Sequence, residues 1–167
     1  FMPGSRKSEV EQLGELQCQV ARRLLNEYSN LRIVVPAASE DIRQLIVQIM
    51  GQQGLPSERI VVESCPLQQQ SLNVMRSADV ILLTSGTATL EAAMLGKPMV
   101  VVYRMAPLAY ALVKRLVKVD YISLPNLLVN DALVPEYIQD QATVENVCQG
   151  IRKLLDSRSE RERVSQA

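Results

Sequence analysis

The sequence predicts an α/β domain: a doubly wound, mostly parallel, Rossmann-like sheet with helices on both faces. Three observations carry that prediction. Short β-branched runs alternate with longer segments of helical period. The runs are apolar throughout instead of alternating with polar residues, as strands covered on both faces are. Turn residues fall where strands pass into helices, the edge at which such sheets bind ligands.

The chain opens on an apolar stub, Phe1-Met2, followed by the turn Pro3-Gly4-Ser5-Arg6. A turn needs a strand to turn from, so the stub reads as the end of a strand whose beginning is missing. Residues 8–28 read as a helix, with Ser8 as its cap, Glu9 and Glu11 in its first turn, and an apolar stripe of Val10, Leu13, Val20, Leu24 and Tyr28. Residues 31–35 form a strand ended by Pro36, and residues 39–52 a helix burying Ile42, Leu45, Ile46 and Ile49. A strand at 59–63, a short helix at 69–77 and the most apolar strand, 79–84, follow. A helix at 87–95, closed by Gly96, leads to a strand at 98–103 and a helix at 107–118. Pro125 and Asn126 interrupt residues 122–129, which therefore read as a loop. Residues 135–139 and 143–155 read as helices, and the charged tail after Asp156 as frayed. The expected domain is 1–156, with 157–167 a flexible extension.

Composition excludes several chemistries. The chain has no His, so neither a Ser-His-Asp nor a Cys-His nucleophile system can be built, and no zinc site with His ligands. A general base would have to be Asp, Glu, Lys, Tyr or Cys. The 18 basic and 18 acidic residues cancel, which argues against a nucleic-acid binder working through a basic face. The cancellation is not uniform: residues 97–119 hold Lys97, Arg104, Lys114, Arg115 and Lys118 and no acid. The three cysteines are odd in number and form no CxxC pair, so neither a disulfide framework nor a zinc knuckle is expected, and a reducing cytoplasm fits. No apolar run is long enough to span a membrane, and no signal peptide opens the chain.

Three segments lie at expected strand ends and carry ligand-binding residue types. In Gly4-Ser5-Arg6, glycine allows close approach of backbone, the helix N-terminus favours an anion, and Arg6 can clamp a phosphate. The bland alternative is a plain turn with an exposed arginine. In Ser85-Gly86-Thr87, backbone N–H groups and hydroxyls face a diphosphate, and Glu91, one turn on, accepts from ribose hydroxyls. Here the alternative is a helix cap and a solvated carboxylate. The segment is neither GxGxxG nor a Walker loop. The third set is Arg104 and Met105 with Asn126, whose amide either meets specific partners or bonds its own backbone. Lys114, Arg115 and Lys118 end an amphipathic helix, which suits an anionic membrane or phosphate, or simply the helix dipole.

Together these stretches resemble lipid-A-disaccharide synthase, a family of two-domain glycosyltransferases. The resemblance rests on Met2-Pro3-Gly4-Ser5-Arg6 with Glu9-Val10, on the stretch from Ser85 to Glu91, on Lys97-Pro98-Met99-Val100-Val101 and on Tyr103-Arg104-Met105. It rests above all on the run Lys114-Arg115-Leu116-Val117-Lys118-Val119-Asp120-Tyr121-Ile122-Ser123-Leu124-Pro125-Asn126-Leu127-Leu128. The SGT…LE…GKP pattern is common to many nucleotide-sugar glycosyltransferases, whereas the last run is diagnostic.

The resemblance implies the C-terminal, UDP-binding domain of a GT-B enzyme, with the N-terminal acceptor domain absent from this chain. It implies an inverting transfer of 2,3-diacylglucosamine from its UDP derivative to 2,3-diacylglucosamine 1-phosphate, in lipid A assembly of Gram-negative bacteria. Gly4, Ser5, Arg6, Ser85, Gly86 and Thr87 would meet the diphosphate, Glu91 the ribose, and Arg104, Met105 and Asn126 the cleft near the donor. No catalytic residue is expected in this chain, and neither a metal nor a cofactor. Expected partners are the donor, the acceptor domain and an anionic membrane surface, with no nucleic acid and with a homo-oligomer left open. The implied location is cytoplasmic and peripheral to the inner membrane. Two other readings stay open here: a UDP-N-acetylglucosamine 2-epimerase-like enzyme, and a non-catalytic nucleotide-binding module.

Overall fold

The first two residues join the sheet into one surface. In this computed structural model, which describes residues 1–55, 58–106, 110 and 121–166, the Met2 N–H donates to Leu82 O (2.7 Å) and Met2 O accepts from Thr84 N (3.0 Å). On the other side, the Phe1 amino group donates to Val34 O at 2.7 Å. Phe1-Met2 thus lies between β1 (Ile33–Ala37) and β3 (Ile81–Thr84). Outward from β1 lies β2 (Ile60–Ser64), parallel, with Ile33 opposite Ile60. Outward from β3 lie β4 (Met99–Tyr103) and then β5 (Glu136–Ile138), both parallel. The order β2-β1-(Phe1-Met2)-β3-β4-β5 is that of a Rossmann sheet, and its switch point falls between Phe1-Met2 and β3.

Helix α1 (Lys7–Glu27) supplies both halves of the core. Leu13, Leu16, Val20 and Leu24 pack with β3, β4 and α6 (Val144–Asp156). Val10, Ala21 and Leu25 pack instead with β1 and with Ile42 and Ile46 of α2 (Glu40–Gln52). Each such buried Val, Leu or Ile side chain contributes about 1.5–3 kcal/mol. Ser39 caps α2, its hydroxyl accepting from Ile42 N at 3.3 Å. Helices α3 (Gln68–Ser77) and α4 (Thr87–Met94) complete the units around β3.

The last third departs from expectation. Residues 124–129, read as a loop, form helix α5 (Leu124–Val129). Pro125 sits in its first turn, where a missing N–H costs nothing. The Glu136 carboxylate, distant in sequence, accepts from Ile122 N (2.8 Å) and Ser123 N (3.0 Å) at the head of α5. Residues 136–138, read as helix, form strand β5, because the open edge of β4 offers Val101 N to Pro135 O at 2.9 Å and a ladder beyond. The charged tail is helix α7 (Arg158–Gln166). It buries Val164, and Arg161 donates to the end carbonyls of α6 at Leu154 (2.7 Å) and Leu155 (2.6 Å). Finally, α1 starts at Lys7, and Ser8 does not cap it; the carboxylate of Glu9 takes that place.

Candidate functional site

A cleft of about 470 Å³ opens at the carboxyl ends of Phe1-Met2 and β3, which is the switch point of the sheet. Its volume falls within the range of small-ligand sites. Gly4, Ser5, Arg6, Ser85, Gly86, Thr87 and Glu91 all line it.

Helix α4 brings an unfilled N-terminus to this cleft. Gly86 is its N-cap and provides no side chain to cap it. Among the described residues the amides of Gly86, Thr87 and Ala88 meet no acceptor, while Thr89 turns both its N–H (3.1 Å) and its hydroxyl (2.7 Å) back to Gly86 O. Three N–H groups and the positive end of the helix dipole are therefore available to an anion. Ser85 is different: its amide continues the sheet ladder to Val102 O at 3.1 Å, and its hydroxyl donates to Ile122 O at 3.4 Å. Thr84, at the end of β3, also lines the cleft; it is 5% exposed and its hydroxyl has no partner among the described residues. A buried hydroxyl without a partner is uncommon, and it marks this wall as polar beyond what the fold uses.

The Gly4-Ser5-Arg6 turn is occupied from inside. Glu9 Oε2 accepts from Ser5 N (3.1 Å) and Arg6 N (3.3 Å), and its Oε1 pairs with the Arg6 guanidinium at 3.2 Å. Gly4 has φ +108°, which disfavours any side chain, and a Cβ there would lie 2.8 Å from Glu9 Cβ. Glu91, half-buried on α4, accepts from Gln68 Nε2 at 2.6 Å. Cys65 sits on the same wall, its thiol pKa raised by burial and then by the nearby Glu63 carboxylate.

Three of the sequence candidates lie elsewhere. Arg104 donates to Ala142 O, and Met105 exchanges bonds with the Gln139 side chain (2.9 and 3.1 Å). Asn126 is 1% exposed and fully engaged: Nδ2 donates to Val134 O (2.8 Å) and Glu136 Oε1 (2.7 Å), and Oδ1 accepts from Val134 N (2.8 Å). None of the three lines the cleft. Lys114, Arg115 and Lys118 lie outside the described residues. Sequence reasoning missed Glu9, Gln68, Ser71 and Thr84 as cleft residues. Only Glu9 had a legible signal, as an acid in the third position of a helix, where capping carboxylates sit.

Comparison with known proteins agrees with the geometry. The family profile described as lipid-A-disaccharide synthetase matches residues 1–167. A lipid-A-disaccharide synthase of Pseudomonas paraeruginosa is 46% identical over 161 residues, which is 96% of this chain and 41% of the relative. That of Alkalilimnicola ehrlichii is 41% identical over 156 residues, 93% of this chain and 40% of the relative. The chain therefore spans about two fifths of the length of these curated relatives. Among solved structures, a putative UDP-N-acetylglucosamine 2-epimerase from Listeria monocytogenes superposes with a TM-score of 0.69 at 16% identity, covering 99% of this chain and 38% of that one. The UDP-GlcNAc 2-epimerase of Neisseria meningitidis, solved with UDP-GlcNAc bound, gives 0.69 at 15%, covering 98% of this chain and 38% of that one. At such identities the epimerases share the fold alone, and they bear out the expected α/β class with its parallel sheet. With its full length matched by the profile and the two relatives above both lipid-A-disaccharide synthases, this chain belongs to the lipid-A-disaccharide synthetase family.

Proposed function

We propose that this chain is the donor-binding half of an inverting GT-B glycosyltransferase that moves 2,3-diacylglucosamine from UDP to 2,3-diacylglucosamine 1-phosphate. One observation carries the reading: the uncapped N-terminus of α4 and Glu91 one turn further along share the switch-point cleft. The amides of Gly86, Thr87 and Ala88 hold the diphosphate, with Arg6 on its flank, and the Glu91 carboxylate takes the ribose hydroxyls. The neighbour solved with UDP-GlcNAc bound shares this fold, which supports a UDP-sugar as the class of ligand.

Chemically, the anomeric carbon–oxygen bond to UDP breaks as the acceptor hydroxyl attacks from the opposite face. The diphosphate gains negative charge in that step. Preorganised N–H donors lower the barrier because they need no reorientation, and one such donor is worth about 3 kcal/mol in comparable sites. The base that takes the acceptor proton belongs to the acceptor domain. The charge of Lys114, Arg115 and Lys118, in a stretch without acids, suits attraction to the anionic membrane in which both lipid substrates sit, with the enzyme peripheral on the cytoplasmic face. Among the described residues no helix is long and apolar enough to cross a membrane.

Titration calorimetry with UDP tests the reading. Wild type binds, and Glu91→Ala binds about tenfold more weakly, as loss of a charged hydrogen-bond acceptor implies. Equal affinities reject the ribose role. Transfer of glucosamine by the 167-residue chain alone would refute the assignment of the base to another domain.

A further inference from the structure

The turn that follows Met2 was expected to bring its backbone close to the diphosphate, yet two of its amides, those of Ser5 and Arg6, are taken. The Glu9 carboxylate accepts from Ser5 N at 3.1 Å and Arg6 N at 3.3 Å, with its second oxygen on the Arg6 guanidinium at 3.2 Å. Glu9 is well covered, its side chain 21% exposed, whereas that of Arg6 is 80% exposed. The turn is also shaped around Glu9. Gly4 adopts a positive φ, and the place of its absent Cβ is filled by the Glu9 stem at 2.8 Å. A residue with any side chain at position 4 would have to displace that carboxylate.

From this we infer that Glu9 is a positioning residue for the donor's diphosphate. It locks the Gly4–Arg6 turn and holds the Arg6 guanidinium at the rim of the cleft, beside the unfilled N-terminus of α4. The Ser5 and Arg6 amides are thereby withdrawn from the ligand, the turn contributes one mobile cation, and the amides that meet the phosphates are those of Gly86, Thr87 and Ala88. The carboxylate-to-guanidinium contact is solvent-exposed, so it is weak and readily exchanged for a phosphate oxygen. The two bonds to backbone amides stay in place and keep the turn from collapsing when Arg6 moves.

The inference rests on the UDP reading above, and one set of titrations separates the two. The 167-residue protein is titrated with UDP and with uridine, as wild type, Glu9→Gln, Glu9→Ala, Arg6→Ala and the Glu9→Ala/Arg6→Ala double variant. Glu9→Gln keeps a carbonyl oxygen for the two amides and binds UDP within about threefold of wild type. Glu9→Ala loses about tenfold for UDP and less than about twofold for uridine, which carries no phosphate. In the Arg6→Ala background, Glu9→Ala adds little, because its effect runs through Arg6. Three results overturn the inference: UDP affinity unchanged or raised in Glu9→Ala, uridine affinity falling in parallel with UDP, or strictly additive losses in the double variant. Failure of wild type to bind UDP overturns the donor reading itself, and the inference with it.

Discussion

Asn126 offers the sharpest test, because motif and structure assign it different work. The motif puts it near the donor; the structure puts it on the buried face of α5, bridging to Val134 and Glu136. Asn126→Ala removes three hydrogen bonds at once. It leaves both backbone groups of Val134, which is 1% exposed, without partners. Each buried group orphaned this way costs about 1–3 kcal/mol, and the Glu136 carboxylate also loses a donor. A loss of about 4 kcal/mol follows, a large share of the 5–15 kcal/mol that holds a typical domain together. For a chain of this size that lowers the thermal midpoint by roughly 8–16 °C. Asn126→Asp costs at least as much, since a second carboxylate oxygen then faces Val134 O and Glu136. Thermal unfolding followed by circular dichroism measures both, with UDP titration on the folded fraction at low temperature. A midpoint shift under about 2 °C combined with lost UDP affinity would refute the architectural role and restore the motif's assignment.

Two further outcomes follow from buried groups. Thr84→Val replaces an unpartnered buried hydroxyl by a methyl of the same shape, so it raises stability by about 1–2 kcal/mol; a lowered midpoint counts against the orphaned hydroxyl. Burial pushes the Cys18 thiol up to about 11, with Arg22 opposing and Glu15 adding to the shift. The folded pKa lies above the unfolded one, so the thiol's contribution is complete below the ordinary thiol range and is lost as pH rises towards 11. Tyr28, raised to about 12 by burial and then by its bond to Asp156, extends the same alkaline loss. Cys18→Ala flattens the fall in stability that begins near about pH 9. An unchanged slope rejects the account.

The parts of the fold that could be read in advance are those whose environment is uniform. Strands β1, β3 and β4 lie inside the sheet, so their residues are apolar on both faces and announce themselves. Strand β5 has three residues, half-buried, and exists because the edge of β4 needs a partner; nothing local in Glu136-Tyr137-Ile138 says so. Helix α5 was hidden for a related reason. Its stabilising acceptor, Glu136, arrives from ten residues beyond Asn126, and Pro125 looks like a breaker until it is placed in the first turn. In the cleft, Gly86, Thr87 and Glu91 were legible because a strand end, a helix start and an i, i+4 carboxylate are local features. For Asn126 the sequence left open whether the amide meets specific partners or bonds its own backbone; tertiary packing decides for the former and sets which partners.

The chemistry of the cleft explains why an empty histidine column is no handicap. Among its described lining residues the titratable groups are Arg6, Glu9, Cys65 and Glu91. Arg6 cannot accept a proton. Three donors already occupy Glu9, and burial pushes the Cys65 thiol up, against its deprotonation. Glu91 faces Gln68 and, in the proposed complex, the ribose, one helical turn from the diphosphate site. What remains on this wall is a set of donors: three helix amides, an orphan hydroxyl and a guanidinium. Such donors stabilise a departing anion and do not take the proton of an attacking hydroxyl. On the proposed reading proton transfer falls to another domain, and the effects of mutations in this cleft scale with the phosphate charge of the ligand, not with the acidity of the acceptor.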